Sequence, residues 1–268
     1  MLKKRLIVCL LWNNGVIVQS VHFRHTNAVG NALTAVDFFH TWTVDEIIVL
    51  DVSRIEADRS NFYQMIRELS RRCFIPLTVG GKIKTVEDMR ELFRNGADKI
   101  AINTEAVRNP NLITEGAHMY GGQAIVVSID AKKTEEQTHE VCIQNGSAAT
   151  GLLAPEWAKT AEERGAGEIF LTSIDCDGSL QGYDIALVRS VSEAVHIPVI
   201  ASGGVGEWQH FVDGIMQGKA DAVSAANIFH FSEQSTRKAK DYMLSHGIDV
   251  RKPAYYTVQT PRYPEYKV

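Results

Sequence analysis

The chain has 268 residues, of which 45% are hydrophobic and 22% charged, and its formal net charge is -4. This composition is that of a globular protein with enough apolar material for a large core, which excludes disorder over most of the chain. The mild negative charge, without a long basic stretch, does not indicate nucleic acid as a partner.

The first predicted element, Leu6–Leu11, is a short apolar run that follows Met-Leu-Lys-Lys-Arg. A signal peptide begins in a similar way, but this run is short and no small-residue cleavage site follows it, so we interpret it as a buried strand. No stretch of about 18 apolar residues is present, and no membrane partner is expected. The four cysteines show no paired spacing. We expect reduced thiols in a cytoplasmic protein, with no metal and no cofactor.

Short apolar runs then alternate with amphipathic segments. The predicted strands are Leu6–Leu11, Glu46–Asp51, Pro76–Val79, Lys99–Ile102, Ala124–Asp130, Glu168–Ser173, Pro198–Ala201 and Ala222–Ala225. The predicted helices are Ala32–His40, Asn61–Cys73, Val86–Asn95, Asn109–Tyr120, Pro155–Arg164, Ile185–Val195 and Glu207–Gln217. Apolar strands separated by helices are typical of a parallel sheet. Eight such units fill about 250 residues, which predicts a single α/β domain, a (β/α)8 TIM barrel.

An internal repeat supports the barrel. Four pairs of residues recur at offsets of 122 or 123 residues: Glu46-Ile47 as Glu168-Ile169, Ile75-Pro76 as Ile197-Pro198, Gly80-Gly81 as Gly203-Gly204, and Ala97-Asp98 as Ala220-Asp221. A unit of this length carries four βα units, so its repetition predicts two half-barrels. An open doubly wound sheet is the weaker alternative, because it does not require the duplication.

Two segments stand outside this pattern. Residues 132–150 form a polar loop with a candidate strand pair around His139–Ile143. The segment 251–268 is rich in Pro, Tyr and Arg and has no periodicity. We therefore expect a barrel over residues 1–250 and a C-terminal extension over 251–268.

Function in such a barrel lies at the carboxyl ends of the strands. Glycines and polar residues follow strands 3 and 4 at Gly80-Gly81 and Asn103-Thr104. The repeat places Gly203-Gly204 and Ala226-Asn227 at the equivalent ends of strands 7 and 8. Glycine lets a backbone approach an anion, and a helix start supplies N–H donors. Two equivalent sites predict a ligand with two phosphates, although the glycines can also serve only to turn the chain.

Acidic residues lie at the same strand ends. Asp130 ends strand 5 and is a candidate general acid or base. Asp51 ends strand 2, where a structural role is an equal alternative, and Asp175 and Asp177 precede Gly178 after strand 6. The first-half counterpart of Asp130 is Leu11, which cannot transfer a proton. A symmetric pair of carboxylates would therefore be incomplete here.

Four charged residues begin strands at the opposite face: Arg5, Glu46, Lys99 and Glu168. Strand alternation places Arg5 on one face with Ile7, Cys9 and Leu11. If those faces point inward, two cations and two carboxylates meet at the floor of the barrel and form ion pairs. The alternative is four separately solvated charges, and spacing alone does not choose between them.

The chain resembles HisF, the cyclase family of imidazole glycerol phosphate synthase, from Leu2 to about Arg251. The resemblance is carried by the segments "IPLTVGGKIKTVEDMRELFRNGADKIAINTEAVRNP", "GAGEIFLTSIDCDG", "IPVIASGGVGEWQHF" and "AANIFHF". It implies a barrel that receives ammonia through its floor from a HisH-like glutaminase. The four floor residues then correspond to the ammonia gate of the family, and Asp98 corresponds to a position at the glutaminase interface.

The resemblance also implies the substrate contacts. Phosphate-binding positions of the family fall on Gly81, Lys82, Asn103 and Thr104 on one side. On the other side they fall on Gly178, Gly204, Ala226 and Asn227, with Asp177 beside them, and the catalytic aspartate of strand 5 falls on Asp130.

This sequence departs from the family at four positions. The catalytic aspartate of strand 1 is Leu11, a substrate-contacting lysine is Gln19, a glycine of the strand 3 loop is Lys82, and a phosphate-site serine is Asn227. Loss of a carboxylate that acts in proton transfer slows catalysis by about 10²–10⁴. With an intact floor, the sequence, including "CLLWNNG", resembles a HisF-like branch that serves amidination of N-acetyl sugars in surface-polysaccharide pathways.

Three hypotheses follow. The first is an ammonia-handling subunit for acetamidino-sugar formation, with a HisH-like glutaminase, a phosphorylated or nucleotide-linked substrate and an aminosugar amidotransferase as partners. The second is ring closure of a bis-phosphorylated aminoimidazole precursor in histidine biosynthesis. The third is a non-catalytic barrel that docks the glutaminase and conducts ammonia.

Overall fold

The protein is described here from a computed structural model that covers residues 3–30, 44–54, 59–230 and 235–252. The strands in chain order are β1 (Arg5–Asn13), β2 (Val16–Val21), β3 (His25–Gly30), β4 (Glu46–Asp51), β5 (Leu77–Gly80), β6 (Lys99–Ile102), β7 (Ile125–Lys133), β8 (His139–Ile143), β9 (Ala148–Leu153), β10 (Glu168–Ser173), β11 (Val199–Ser202) and β12 (Ala222–Ala225). The helices are α1 (Ser60–Arg72), α2 (Val86–Arg94), α3 (Thr104–Arg108), α4 (Asn111–Tyr120), α5 (Ala154–Glu163), α6 (Ile185–Ser192), α7 (Trp208–Met216) and α8 (Ser235–Ser245).

Eight parallel strands close into a barrel, and helices alternate with them along the chain. The order around the ring is β1, β4, β5, β6, β7, β10, β11 and β12, with β12 pairing with β1. The predicted (β/α)8 barrel is confirmed. The first four strands of the ring are contiguous, as are the last four. The predicted helix Ala32–His40 and most of the predicted C-terminal extension lie outside the described residues.

Strand alternation divides the apolar side chains between two cores. Ile7 and Cys9 of β1 point into the barrel, where they pack with Ile48, Ala101, Val126, Phe170, Ile200 and Ala222. The intervening residues Leu6, Val8 and Leu10 are fully buried on the outside of the barrel, under the helices. Continuous burial on both faces is the reason that these strands read as uninterrupted apolar runs.

The helices begin where the sequence supplies a cap. At α2 the Thr85 hydroxyl accepts a hydrogen bond from the Asp88 N–H (3.2 Å), and the Asp88 carboxylate accepts one from the Thr85 N–H (2.8 Å). The helix then buries Met89 and Leu92 against the barrel. No helix in the described part of the chain has the length and apolar character needed to cross a membrane.

Two antiparallel extensions rise above the barrel and were incompletely predicted. The hairpin β2–β3 pairs with the end of β1, and it was not predicted from the sequence. Strand β7 continues to Lys133, beyond the predicted end at Asp130, because it pairs with β8, and β9 adds a further strand. Residues 132–150 are therefore a sheet extension more than a polar loop.

A buried polar contact anchors the second extension to the barrel. His139 at the start of β8 is buried, and its Nε2 lies 2.9 Å from the Asp184 carboxylate, which also accepts the Leu187 N–H at the start of α6. Burial alone would raise the pKa of Asp184, but these hydrogen bonds outweigh it and lower the pKa. The β8–β9 extension is thus fastened where α6 begins.

Replacing Asp184 with alanine is expected to destabilise the chain by about 1–2 kcal/mol, since both the helix cap and the partner of a buried histidine are lost. A lowered carboxyl pKa contributes stability that is present above the unfolded pKa, so the difference should shrink as the pH falls below about 4. Urea unfolding at several pH values measures it. Asp184→Asn, which keeps the cap, is the control, and an equal loss in both variants would contradict the role of the cap.

Candidate functional site

The carboxyl ends of the barrel strands surround a cavity of about 690 Å³. The residues predicted to meet the substrate converge there: the lining includes Gly81, Lys82, Asn103, Thr104, Asp130, Asp177, Gly178, Gly204 and Ala226. Asn227 begins a 3-10 turn that follows β12 directly. The site predicted from strand ends is therefore a single continuous space.

Asp130 is held inside this cavity by one amide side chain. The Asn103 Nδ2 donates to the Asp130 carboxylate (3.0 Å) and to the Ser128 carbonyl (3.1 Å). Burial, and then the negative charge of Asp177, raise the pKa of Asp130 from 3.8 to about 7, although the Asn103 hydrogen bond lowers it. Asp130 can thus hold or release a proton near neutral pH, as a general acid or base must. Leu11 lines the same cavity and offers no second carboxyl.

Asp177 joins two loops across the cavity mouth. Its carboxylate accepts hydrogen bonds from the Ser20 hydroxyl and from the Phe23 N–H, and its backbone carbonyl accepts the His22 N–H (2.9 Å). Burial raises the pKa of Asp177, and the Ser20 and Phe23 hydrogen bonds oppose that rise. Asp177 therefore fixes the turn of the β2–β3 hairpin as well as facing the cavity.

The glycines at the strand ends are required by neighbouring backbone. A Cβ on Gly81 would lie 2.4 Å from the Asp51 carbonyl oxygen, and one on Gly178 would lie 2.5 Å from the Ser20 oxygen. A Cβ on Gly204 would lie 2.0 Å from the Gly182 oxygen. Chain packing explains these glycines without a ligand, so they support a phosphate site less than the sequence suggests.

The Asp51 carboxylate has a structural partner. It accepts hydrogen bonds from the Ser53 N–H (3.0 Å) and hydroxyl, and its other oxygen lies 3.9 Å from the Lys82 Nζ. Lys82 itself has a left-handed backbone, with φ of 54°. Thr104, another predicted phosphate ligand, accepts the Gln144 N–H (3.0 Å) through its hydroxyl. Two residues of the predicted first phosphate site, Lys82 and Thr104, therefore already contact other groups of the protein.

The opposite end of the barrel is closed by the floor ring, which consists of Arg5, Glu46, Lys99 and Glu168. Lys99 contacts Glu46 (3.0 Å) and Glu168 (2.9 Å), and Arg5 contacts Glu46 (2.7 Å) and Glu168. Both carboxylates are buried, and Thr78 donates a further hydrogen bond to Glu46 (2.6 Å). Of the two arrangements that spacing left open, the structure has the ring of ion pairs.

Between the floor ring and the cavity lies the apolar interior of the barrel. Burial raises the pKa of the Cys9 thiol to about 12, so it remains protonated there.

Asp98, predicted at a partner interface, is exposed on the floor side and accepts the Leu77 N–H (2.8 Å). The exposed position is compatible with that prediction and does not test it.

The sequence from residue 5 to residue 235 matches the family described as histidine biosynthesis protein. The match spans most of the chain and covers the whole barrel from the floor ring to β12. The chain belongs to the histidine biosynthesis protein family. Members of this family are generally enzymes or enzyme subunits. This agrees with a cavity that holds Asp130, whose carboxyl has a pKa of about 7.

Sequence reasoning missed several residues that line the cavity of this family member. They come from the two extensions, where Phe23, Gln144 and Asn145 line the mouth, and from single cations that follow different barrel strands: Arg24, Arg54, Lys84 and Arg108. The cations are scattered over 85 residues with no spacing that marks a motif. A signal existed only for the extension around His139–Ile143, whose strand was placed correctly.

Proposed function

We propose that this protein is a HisF-type synthase subunit that receives ammonia from a HisH-like glutaminase and acts in amidination of an N-acetyl sugar. The observation that carries the proposal is the combination of a complete floor ring with a cavity that holds Asp130 opposite Leu11. An intact floor supports a role in ammonia transfer. The missing carboxyl argues against proton transfer by a pair of aspartates in ring closure.

In this proposal, ammonia that passes the floor ring crosses the apolar interior of the barrel, where Ile7, Cys9 and Val126 pack together, and reaches the cavity that Asp130 lines. A neutral, low-polarity interior of this kind favours uncharged ammonia over ammonium. Asp130, with a pKa of about 7, is then placed to exchange a proton with the reacting group.

Two other functions follow from particular observations. Asp130 and the two sets of strand-end loops favour the cyclase reaction of histidine biosynthesis, with a bis-phosphorylated substrate. The hydrogen bonds that already occupy Thr104 and Asp177 favour a barrel that only docks the glutaminase and conducts ammonia. The same experiment separates all three.

The test is co-expression with a HisH-like glutaminase from the same organism, followed by co-purification and assays with glutamine or ammonium. Each assay offers either a nucleotide-linked N-acetyl sugar, together with the aminosugar amidotransferase, or the aminoimidazole precursor. We expect amidine formation that depends on this chain, and no complementation of a cyclase-deficient histidine auxotroph. Complementation, or ring closure at an enzymatic rate, would refute the proposal in favour of the cyclase.

A further inference from the structure

The loop after β5, residues 81–85 (the β5 loop), is held from outside the cavity by one arginine. Arg59 lies directly before α1 and does not line the cavity. Its Nη2 donates to the Gly81 carbonyl (3.0 Å), and its Nη1 donates to the Lys82 carbonyl (3.3 Å). One guanidinium therefore fixes two successive peptide groups of a loop that lines the cavity.

The guanidinium of Arg59 is itself held in place by two aromatic rings. Its Cζ lies 5.5 Å from the centre of the Phe62 ring and 5.1 Å from the centre of the Tyr63 ring. A cation is attracted to the electron-rich faces of such rings. Phe62 is fully buried and packs against Trp12, with 5.0 Å between the ring centres. Arg59 therefore reaches the β5 loop from a support that belongs to the core of the barrel.

The carbonyl contacts of Arg59 determine where the neighbouring N–H groups point. In a planar trans peptide the C=O and the N–H point in opposite directions. Because the Gly81 and Lys82 carbonyls face Arg59, the N–H groups of Lys82 and Ile83 point away from it. Ile83 lines the cavity and is only 5% exposed, yet its N–H has no hydrogen-bond partner in the part of the chain that the structure describes. Such an N–H is rare in a buried residue, and a ligand in the cavity would supply the missing acceptor.

The backbone of the β5 loop also needs support. Two successive residues are left-handed, with φ of 100° at Gly81 and 54° at Lys82. Glycine adopts this conformation freely, whereas for a lysine it is unfavourable and persists only where the surroundings hold it. The two hydrogen bonds from Arg59 span this segment, so they provide that support.

We infer that Arg59 is a positioning residue of this cavity, which orients the β5-loop peptides so that the Ile83 N–H meets an anionic group of the ligand. Its positive charge also polarises the two peptides, which makes their N–H groups stronger donors to an anion. Arg59 acts through the backbone and does not touch the ligand. The inference rests on the proposed function in taking this cavity as the site of a phosphorylated substrate.

The test follows the amide NMR signal of Ile83 in the purified full chain during titration with inorganic phosphate. We expect a saturable shift of this signal, because phosphate supplies the acceptor that the N–H lacks. Arg59→Met removes both carbonyl bonds and the charge, so it should weaken the binding read at this signal about tenfold, the effect of one hydrogen bond to a charged group. Arg59→Lys keeps the charge and can still donate to one carbonyl, so its affinity should lie between the two.

Arg67→Met is the matched control. Arg67 lies in α1, the helix that Arg59 precedes, and it also donates two hydrogen bonds, both to the Asn95 side chain (3.1 and 2.8 Å). Neither Arg67 nor Asn95 lines the cavity. Its replacement should therefore leave phosphate affinity unchanged, even where thermal melting shows a loss of stability similar to that of Arg59→Met.

Three results would overturn the inference: no saturable shift of the Ile83 signal, the same phosphate affinity in Arg59→Met as in the unmodified chain, or equal losses in Arg59→Met and Arg67→Met. If Arg59→Met does not fold, Arg59→Lys decides, and an affinity equal to that of the unmodified chain would overturn the inference.

None of these measurements uses the glutaminase, ammonia or a sugar. Phosphate binding that depends on Arg59, without amidine formation, would therefore refute the proposed function alone. Amidine formation by a chain whose Ile83 signal ignores phosphate would refute this inference alone.

Discussion

Asp130→Asn is expected to slow the ammonia-dependent reaction by about 10²–10⁴, the usual contribution of general acid–base help. Asparagine has nearly the same shape and can still accept the hydrogen bond from Asn103, so the cavity should keep its geometry. The rate is measured with ammonium in place of glutamine, which removes the partner's chemistry from the result. An unchanged rate would show that the barrel conducts ammonia without taking part in the reaction.

The same variant should change how stability depends on pH. The folded pKa of Asp130, about 7, lies above the unfolded value near 4, so between these values the folded chain holds a proton that the unfolded chain loses. The free energy of unfolding therefore falls as the pH rises from about 4 to 7. Asp130→Asn should remove this fall and gain up to about 4 kcal/mol above pH 7, and less where water in the cavity screens the carboxylate.

Asp175→Asn is the matched control for both measurements. Asp175 lies two residues before Asp177 but is exposed and does not line the cavity, and it accepts the Lys133 N–H (2.8 Å). Its replacement should alter neither the rate nor the pH dependence. A similar loss of rate in both variants would mean that Asp130 acts through the loop structure and not through its proton.

The second large effect is expected at the floor ring. Lys99→Met leaves the buried carboxylates of Glu46 and Glu168 with Arg5 as the remaining cation of the ring, and it should destabilise the chain by about 3 kcal/mol. This is the low end for a broken buried pair, because the Lys99 side chain keeps 20% of its surface exposed. Urea unfolding of the purified chain measures the loss.

Lys4→Met provides the comparison on the same face of the barrel. Lys4 pairs with Asp221 at 2.9 Å, but that carboxylate is 48% exposed, so the loss should be at most about 1 kcal/mol.

In the complex, Lys99→Met should also lower the glutamine-dependent rate more than the ammonium-dependent rate. Equal losses of the two rates would contradict a role of the floor ring in ammonia transfer.

Much of the barrel was predictable because its strands are buried on both faces. The predicted strands Glu46–Asp51 and Glu168–Ser173 coincide with β4 and β10, because the apolar residues within them are buried on both faces of the sheet. The floor ring was predictable only in part, because alternation along β1 groups Arg5 with Ile7, Cys9 and Leu11 but does not say whether that face points inward. Closure of the ring required the structure, because it depends on four strands far apart in sequence.

The extensions and the charged rim could not be predicted in the same way. Hairpin β2–β3 is defined by pairing with β1 across Leu11 and Trp12, and β7 passes Asp130 only because β8 pairs with it. The five cations that line the cavity mouth follow four different barrel strands, so their convergence follows from the barrel register and not from a local pattern. These elements determine which groups face the cavity. The sequence therefore predicts where the cavity lies better than it predicts which ligand the cavity binds.

The four ion-pair contacts of the floor ring are linked to one another. Each of its two cations touches both carboxylates, so the four contacts form a closed cycle. Breaking any one contact leaves a linear chain in which all four residues still have a partner, and no buried charge is stranded. Deleting a member also leaves the other three connected, but it unbalances two positive and two negative charges. Losing one contact therefore costs less than losing one residue of the ring.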